Sequence, residues 1–204
     1  MYDTQTLDLA LLGDFFSAAT QHASQAMCQW TNGRVALSLD EIREAALEEA
    51  AAGLNIGDEL LTMVVLGVQG DLGGQLILAF DDENGRKLAA TLLGREVSPE
   101  WSELDQSAVM ETGNILASAY LNELTRLIGR KLVPTAPYFV QDFGESVLAQ
   151  VLASQSLSSE QVLICRTLFE FNKQQVNWSL FFVPSDELLQ TLLAAVQTSN
   201  SVTS

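Results

Sequence analysis

A chain of 204 residues, 48% of them apolar, can bury a substantial core as one domain or two small ones. With 26 acidic side chains against 10 basic ones the formal net charge is −16, so an extended phosphate backbone or an anionic lipid surface would repel it. No apolar run approaches the roughly 20 residues needed to span a bilayer. The opening MYDTQTLDLA has no basic region ahead of its apolar positions, which argues against a signal peptide. The expectation is a cytoplasmic protein with no nucleic acid partner and no membrane insertion.

Taken in chain order, the apolar positions from Leu7 to Trp30 recur at helical spacing and Asn32-Gly33 closes the run, predicting a long first helix. RVALSL alternates like a short strand. SLDEIREAALEEAAAG opens on a Ser/Asp cap and stops at Gly53, which predicts a second helix. LLTMVVLGVQGDLGGQLILAF reads as a hairpin, with Gly70, Gly73 and Gly74 supplying the positive φ angles of a tight reversal. GDLGG is not a phosphate-cradling loop, because the lysine of such a loop is missing and a strand rather than a helix follows. DDENGRKLAATLLG predicts a short helix.

The second half repeats this plan. A long helix is expected from Ser102 to Ile128, then a strand near Lys131 to Ala136, a connecting segment, a hairpin turning at Lys173, and a terminal helix SDELLQTLLAAV. The two halves superpose in sequence at an offset of about 96 to 104 residues, the mark of an internal repeat. Hairpins in both halves favour antiparallel pairing. The predicted fold class is α+β: one domain over residues 1–197, with pseudo-repeats of about 8–100 and 101–197. Its six-stranded, mainly antiparallel sheet packs against two long helices related by a pseudo-twofold axis. The polar tail 198–204 is expected to be disordered.

Cys28 and Cys165 belong to no CxxC pair or Cys/His cluster, so neither zinc nor a disulfide is indicated, and both are expected as small buried residues. The only histidine, His22, has no Ser or Cys nucleophile in a recognisable pattern and is expected in a surface or packing role.

The long second helix is unusual on its wet side. At about 100° per residue, Ser107, Glu111, Asn114, Ser118, Asn122 and Thr125 fall within a stripe of about 80°, opposite Leu116, Tyr120, Leu124 and Leu127. Glu111 and Asn114, spaced i and i+3, project together as one carboxylate and one neutral amide. A polar stripe is ordinarily just a solvated face, but this one lacks the Lys and Arg that usually accompany Glu there. A Glu and an Asn on one helix, without His, metal ligands or a nucleophile, cannot hydrolyse a phosphate unaided.

Ser107-x3-Glu111-x2-Asn114-x22-Pro137 matches the pattern (Asp or Ser)-x3-Glu-x2-Asn-x22-Pro of the CheC, CheX and FliY phosphatases of bacterial chemotaxis. The repeat architecture resembles that family over nearly the whole chain. The resemblance implies a phosphatase acting on the aspartyl phosphate of a CheY-like response regulator. That partner would bring Mg²⁺ and a lysine, and this chain would need no cofactor or metal of its own. In such a setting Asn114 would orient the attacking water and Glu111 would anchor the partner's lysine, with Ser107 and Pro137 in support. A CheD-like protein is a further partner that the resemblance leaves open. The alternative is a non-catalytic adaptor that binds a regulator or another chemotaxis or flagellar protein. At an offset of 97, Ala10, Asp14, Ser17 and Asp40 stand in the places of the four motif residues; at 96, Leu11, Phe15 and Ala18 replace the first three. Neither register keeps the amide, so the first half is expected to be an inactive relic.

Overall fold

A computed structural model describes residues 9–46, 60–70, 72–144, 146 and 161–202. Helix α1, Leu9–Trp30, turns Leu12, Phe16, Ala19, Ala23 and Met27 into the core, the spacing of three and four that keeps one face dry. It ends where Asn32 and Gly33 take positive φ and the Gly33 N–H donates to the Cys28 carbonyl at 2.7 Å. Cys165 is buried, as expected. Cys28 is exposed instead, because the neighbouring Met27 occupies the inward position.

Strand β1, Val35–Ala46, overturns one predicted element. Residues 40–46 of the expected second helix continue the strand; the rest of that segment, 47–53, lies outside the described residues. β1 pairs antiparallel with β6, Gln161–Phe171, from Val35↔Phe171 to Ala46↔Gln161, and Asp40 and Glu41 form ion pairs with Arg166. A complete ladder to a distant strand outweighs the local helix propensity of the Glu- and Ala-rich run.

The first hairpin forms from β2, Leu60–Gln69, and β3, Gly74–Asp81; Gly70 and Gly74 take the expected positive φ, whereas Gly73 does not. The Asp81 side chain caps α2, Asp82–Leu93, which closes at Gly94. Helix α3, Glu103–Ile128, leads into β4, Val133–Pro134, and β5, Tyr138–Phe143. β6 turns into β7, Gln174–Pro184, through Asn172 and Lys173, both at positive φ, the backbone of a tight primed turn. Helix α4, Asp186–Val202, extends beyond the apolar pattern. Within that extension Thr198 Oγ1 donates back to the Ala194 carbonyl at 2.9 Å. Among the described residues no helix is long and apolar enough to cross a membrane.

Among the described residues the sheet has seven strands in the order β1-β6-β7-β3-β2-β4, with β5 also paired to β2, and every pairing among them is antiparallel. This corrects the expected six. The strand foreseen at Lys131–Ala136 is only the two-residue β4, and the segment after it contains β5. Pro134 and Pro137 have no N–H to donate, so the ladder lapses between them and resumes at Tyr138.

Exchanging β1 with the β4/β5 pair, β2 with β6 and β3 with β7 leaves the strand order unchanged. The two outer ladders also share a one-residue slip, at Leu39/Glu41 against β6 and between Pro134 and Tyr138 against β2. Along the helices, Leu12, Phe16, Ala19, Ala23 and Met27 correspond at an offset of 97 to Val109, Gly113, Leu116, Tyr120 and Leu124. All ten are buried. That offset pairs Asp14 with Glu111, Ser17 with Asn114, and Asp40 with Pro137.

One face of the sheet, carrying Val64, Leu66, Leu76, Leu78, Phe80, Leu180 and Phe182, forms the core with α1, α2, α3 and α4. Phe16, Tyr120 and Phe182 lock α1, α3 and β7 together, with ring centroids 5.3 to 6.4 Å apart. Burying aromatics of this size stabilises the helix–sheet interface by about 2 to 3 kcal/mol each relative to exposure.

Candidate functional site

The candidate site is the outward stripe of α3, and the helix is strongly anchored at its start. Ser102 Oγ accepts from the Asp105 N–H at 3.2 Å, while Asp105 Oδ2 accepts from the Ser102 N–H at 3.0 Å, a reciprocal cap worth about 1 kcal/mol. Arg95 adds an ion pair to Asp105. Burial works to raise the Asp105 pKa, but hydrogen bonds from Ser102 and Arg95 outweigh it and hold the carboxyl below its usual value. At the other end Gly129, at φ 66°, donates to the Thr125 carbonyl at 2.9 Å.

Between these ends α3 lies directly on β2. A Cβ added at Gly113 would come within 2.7 Å of Val64 Cγ1 and 3.4 Å of Leu66 Cδ1, so only glycine permits this approach. Thr112, fully buried, donates to the Ala108 carbonyl at 2.9 Å and accepts from the Trp30 indole N–H at 3.3 Å, which ties α3 to the end of α1. With Thr112 and Gly113 turned inward, Glu111 and Asn114 are turned outward. Glu111 is exposed and Asn114 half-buried, with Cβ atoms about 5–6 Å apart by their helical spacing.

Among the described residues neither the Glu111 nor the Asn114 side chain has a hydrogen-bond or ion-pair partner. The rest of the stripe is less available. Ser107 is exposed but donates to the Glu103 carbonyl one turn back, at 2.8 Å. Thr125 Oγ1 accepts from the Leu132 N–H at 2.9 Å and so serves the turn into β4. Ser118 is half-buried and Asn122 exposed.

Pro137 is half-buried in the short connection from β4 to β5. Thr135 fastens that connection to β2: its N–H donates to the Gly67 carbonyl at 2.8 Å, and its hydroxyl accepts from the Gly67 N–H at 2.8 Å. Two residues after Pro137, the Phe139 ring meets Trp101, which immediately precedes the α3 cap, at 5.0 Å between centroids. The structure therefore brings Glu111 and Asn114 together on one helix face with Ser107 one turn away, and sets Pro137 in a segment braced against β2.

The first-half counterparts are differently employed. Asp14 and Ser17 are exposed on α1, and Asp40 accepts from Arg166 Nε at 2.8 Å; the Ala10 side chain lies outside the described residues. His22 places Nε2 3.4 Å from Glu123 Oε2, clasping α1 to α3. Glu123 is itself nearly buried. The Arg126 hydrogen bond, with His22 in support, holds its carboxyl below the usual value against the opposing effect of burial.

Sequence reasoning missed Gly113, Thr112 and Trp30 as parts of this site. A glycine inside a run of good helix formers was the available signal for Gly113, since it costs about 1 kcal/mol against alanine unless something needs the space. Nothing in the sequence announces the bond from Trp30 to Thr112.

No family model matches the sequence. The chain is 26% identical over 126 residues to a protein of Halobacterium salinarum named putative CheY-P phosphatase CheC1; the match spans 61% of this chain and 64% of that protein, just under two thirds of its length. It is 22% identical over 187 residues to the CheY-P phosphatase CheC of Bacillus subtilis, covering 87% of this chain and 88% of the relative. Among solved structures, FliY of Thermotoga maritima superposes with a TM-score of 0.72 at 17% identity over 97% of this chain and 99% of the other. CheX of Borrelia burgdorferi, in a complex with CheY, BeF3 and Mg²⁺, superposes with a TM-score of 0.56 at 17% identity over 85% of this chain and 97% of the other. By sequence and by fold, this α+β chain is similar to the CheC, CheX and FliY proteins.

Proposed function

We propose that the chain, acting as one domain over residues 1–197, is a phosphatase for the aspartyl phosphate of a CheY-like response regulator. The observation that carries this reading is the pair Glu111 and Asn114, side by side on a firmly anchored helix face and without side-chain partners among the described residues. Two polar groups held ready and unsatisfied from within fit a site that a second protein completes. The names of the relatives, and the CheX neighbour captured with CheY, support the same partner.

The chemistry follows from what each group can do. Hydrolysis of an acyl phosphate needs a water held in line with the phosphorus more than it needs covalent assistance. The Asn114 side-chain carbonyl accepts a hydrogen bond from that water and so orients it, and its neutral amide adds no charge repulsion beside the phosphoryl oxygens. Glu111 would be repelled by the phosphoryl group, so its role is to pair with the receiver's lysine and set the register of the two surfaces. Ser107 supports the helix through its bond to Glu103, and Pro137 shapes the braced connection beside it. The Mg²⁺ belongs to the receiver's acidic pocket, where it neutralises charge on the phosphoryl oxygens. On this reading the protein works in the cytoplasm beside its receiver.

The test is the decay of a phosphorylated CheY-like receiver with and without the purified protein. Acceleration is expected, and Asn114→Ala should reduce it by about 100-fold or more while leaving the fold intact. Binding to the phosphorylated receiver with no acceleration would replace this reading with that of a non-catalytic adaptor.

A further inference from the structure

We propose that Trp30 and Leu104 are the apolar anchors of the receiver-binding surface, flanking Glu111 from α1 and from the start of α3. The inference rests on the reading of Glu111 and Asn114 given above and extends it to what supplies affinity. A chain of net charge −16 gains nothing from long-range attraction to a partner whose reactive pocket is lined with carboxylates around a phosphoryl group. A single Glu111–ammonium pair at a wet surface contributes little while water screens it. Association therefore needs apolar burial close to the charged pair, which would also exclude the water that weakens it.

Two side chains meet that need. Trp30 is 39% exposed, yet its ring is not free to wander: the indole N–H donates to Thr112 Oγ1, and Thr112 is the residue beside Glu111. The hydroxyl proton of Thr112 is already committed to Ala108, so its oxygen remains an acceptor for the indole. A tryptophan held this way presents its face at little conformational cost on binding. Leu104, near the start of α3, is 56% exposed. It stands seven residues before Glu111 on the same stripe, about 20° away around the axis and about 10.5 Å along it. A leucine exposed at a position that continues the Ser107–Glu111–Asn114 line extends that line into an apolar contact. The other large exposed apolar side chains on the sheet, Leu60, Tyr138 and Phe143, belong to β2 and β5.

The experiment titrates the full chain with a CheY-like receiver activated by beryllofluoride and, separately, measures turnover of the phosphorylated receiver. Leu104→Ser and Trp30→Ala should each weaken binding by about tenfold and raise KM in proportion, with a larger effect on KM than on kcat. Asn114→Ala should do the reverse, losing kcat while still binding. Trp178 is buried and Trp101 half-buried with its indole bonded to Asp82, so Trp30 should account for most of a fluorescence shift on binding, absent in Trp30→Phe. Far-ultraviolet circular dichroism verifies the fold of each variant, and Leu104→Ser, altering an exposed side chain, carries the test if Trp30→Ala unfolds. Unchanged affinity in Leu104→Ser together with lost turnover in Asn114→Ala overturns the anchors and leaves the phosphatase reading standing. A wild-type protein that neither binds the activated receiver nor speeds its dephosphorylation overturns both.

Discussion

Gly113 lies against Val64 so closely that a Cβ at 113 would stand 2.7 Å from Val64 Cγ1. Val64 is fully buried in the centre of the β2 ladder, between β3 and β5, and cannot retreat without disturbing both. The contact fixes the height of α3 over the sheet, and with it the direction in which Glu111 and Asn114 point. Glycine at this position costs helix stability, and the close packing offsets it.

Gly113→Ala should therefore run against the usual helix ranking. In an open helix the change would stabilise by about 1 kcal/mol; here overpacking should destabilise by about 1 to 3 kcal/mol and displace the site enough to lower receiver turnover. Thermal denaturation decides the point, since a variant that melts at or above the wild-type temperature would show that the contact does not control the helix.

Charge at position 111 should grade the activity. Glu111→Ala loses the partner ammonium and should raise KM as well as lower the rate, whereas Glu111→Lys sets two ammonium groups against each other and should be worse by about tenfold or more in kcat/KM. Equal activities for the two variants would mean that Glu111 does not face a cation.

The first half offers an internal control. Asp14 and Ser17 occupy the positions of Glu111 and Asn114 at the offset of 97 but provide no amide, and Asp40, in the place of Pro137, is held by Arg166. Asp14→Ala and Ser17→Ala should leave turnover within about twofold of wild type. A loss comparable to that of Asn114→Ala would reveal a second working site on α1.

Acid should loosen α3 through its buried carboxylates. The Asp105 pKa is depressed in the folded chain, so its stabilisation is fully present above the unfolded aspartate value of about 3.9 and is lost as pH falls through the lower folded value. Asp105→Ala should cost about 1 to 2 kcal/mol near neutral pH, and the gap from wild type should shrink below about pH 4. Glu123, depressed by Arg126 and His22 against burial, follows the same sign. Urea unfolding of Asp105→Ala across that range is the measurement; a gap that widened toward low pH would contradict the assignment.

Much of the molecule was legible because its signals are local. The helical periods of α1 and α3, the glycines of the first hairpin, the Ser102 and Gly129 boundaries, and the spacing of Glu111 and Asn114 can all be read within one element, since each depends on residues a few positions apart. What tertiary structure decided depends on partners far along the chain. Residues 40–46 became strand because β6 supplies a ladder and Arg166 reaches Asp40 across 126 positions; β5 formed because β2 offers an edge to the residues that follow Pro137. The choice of the 97 offset over 96 needed the burial of both helices, and the roles of Gly113 and Trp30 needed Val64 and Thr112 beside them. Sequence by itself determined which residues could do chemistry, because residue type and helical phase are written locally; which way they face, and what holds them there, follows from packing between elements distant in the chain.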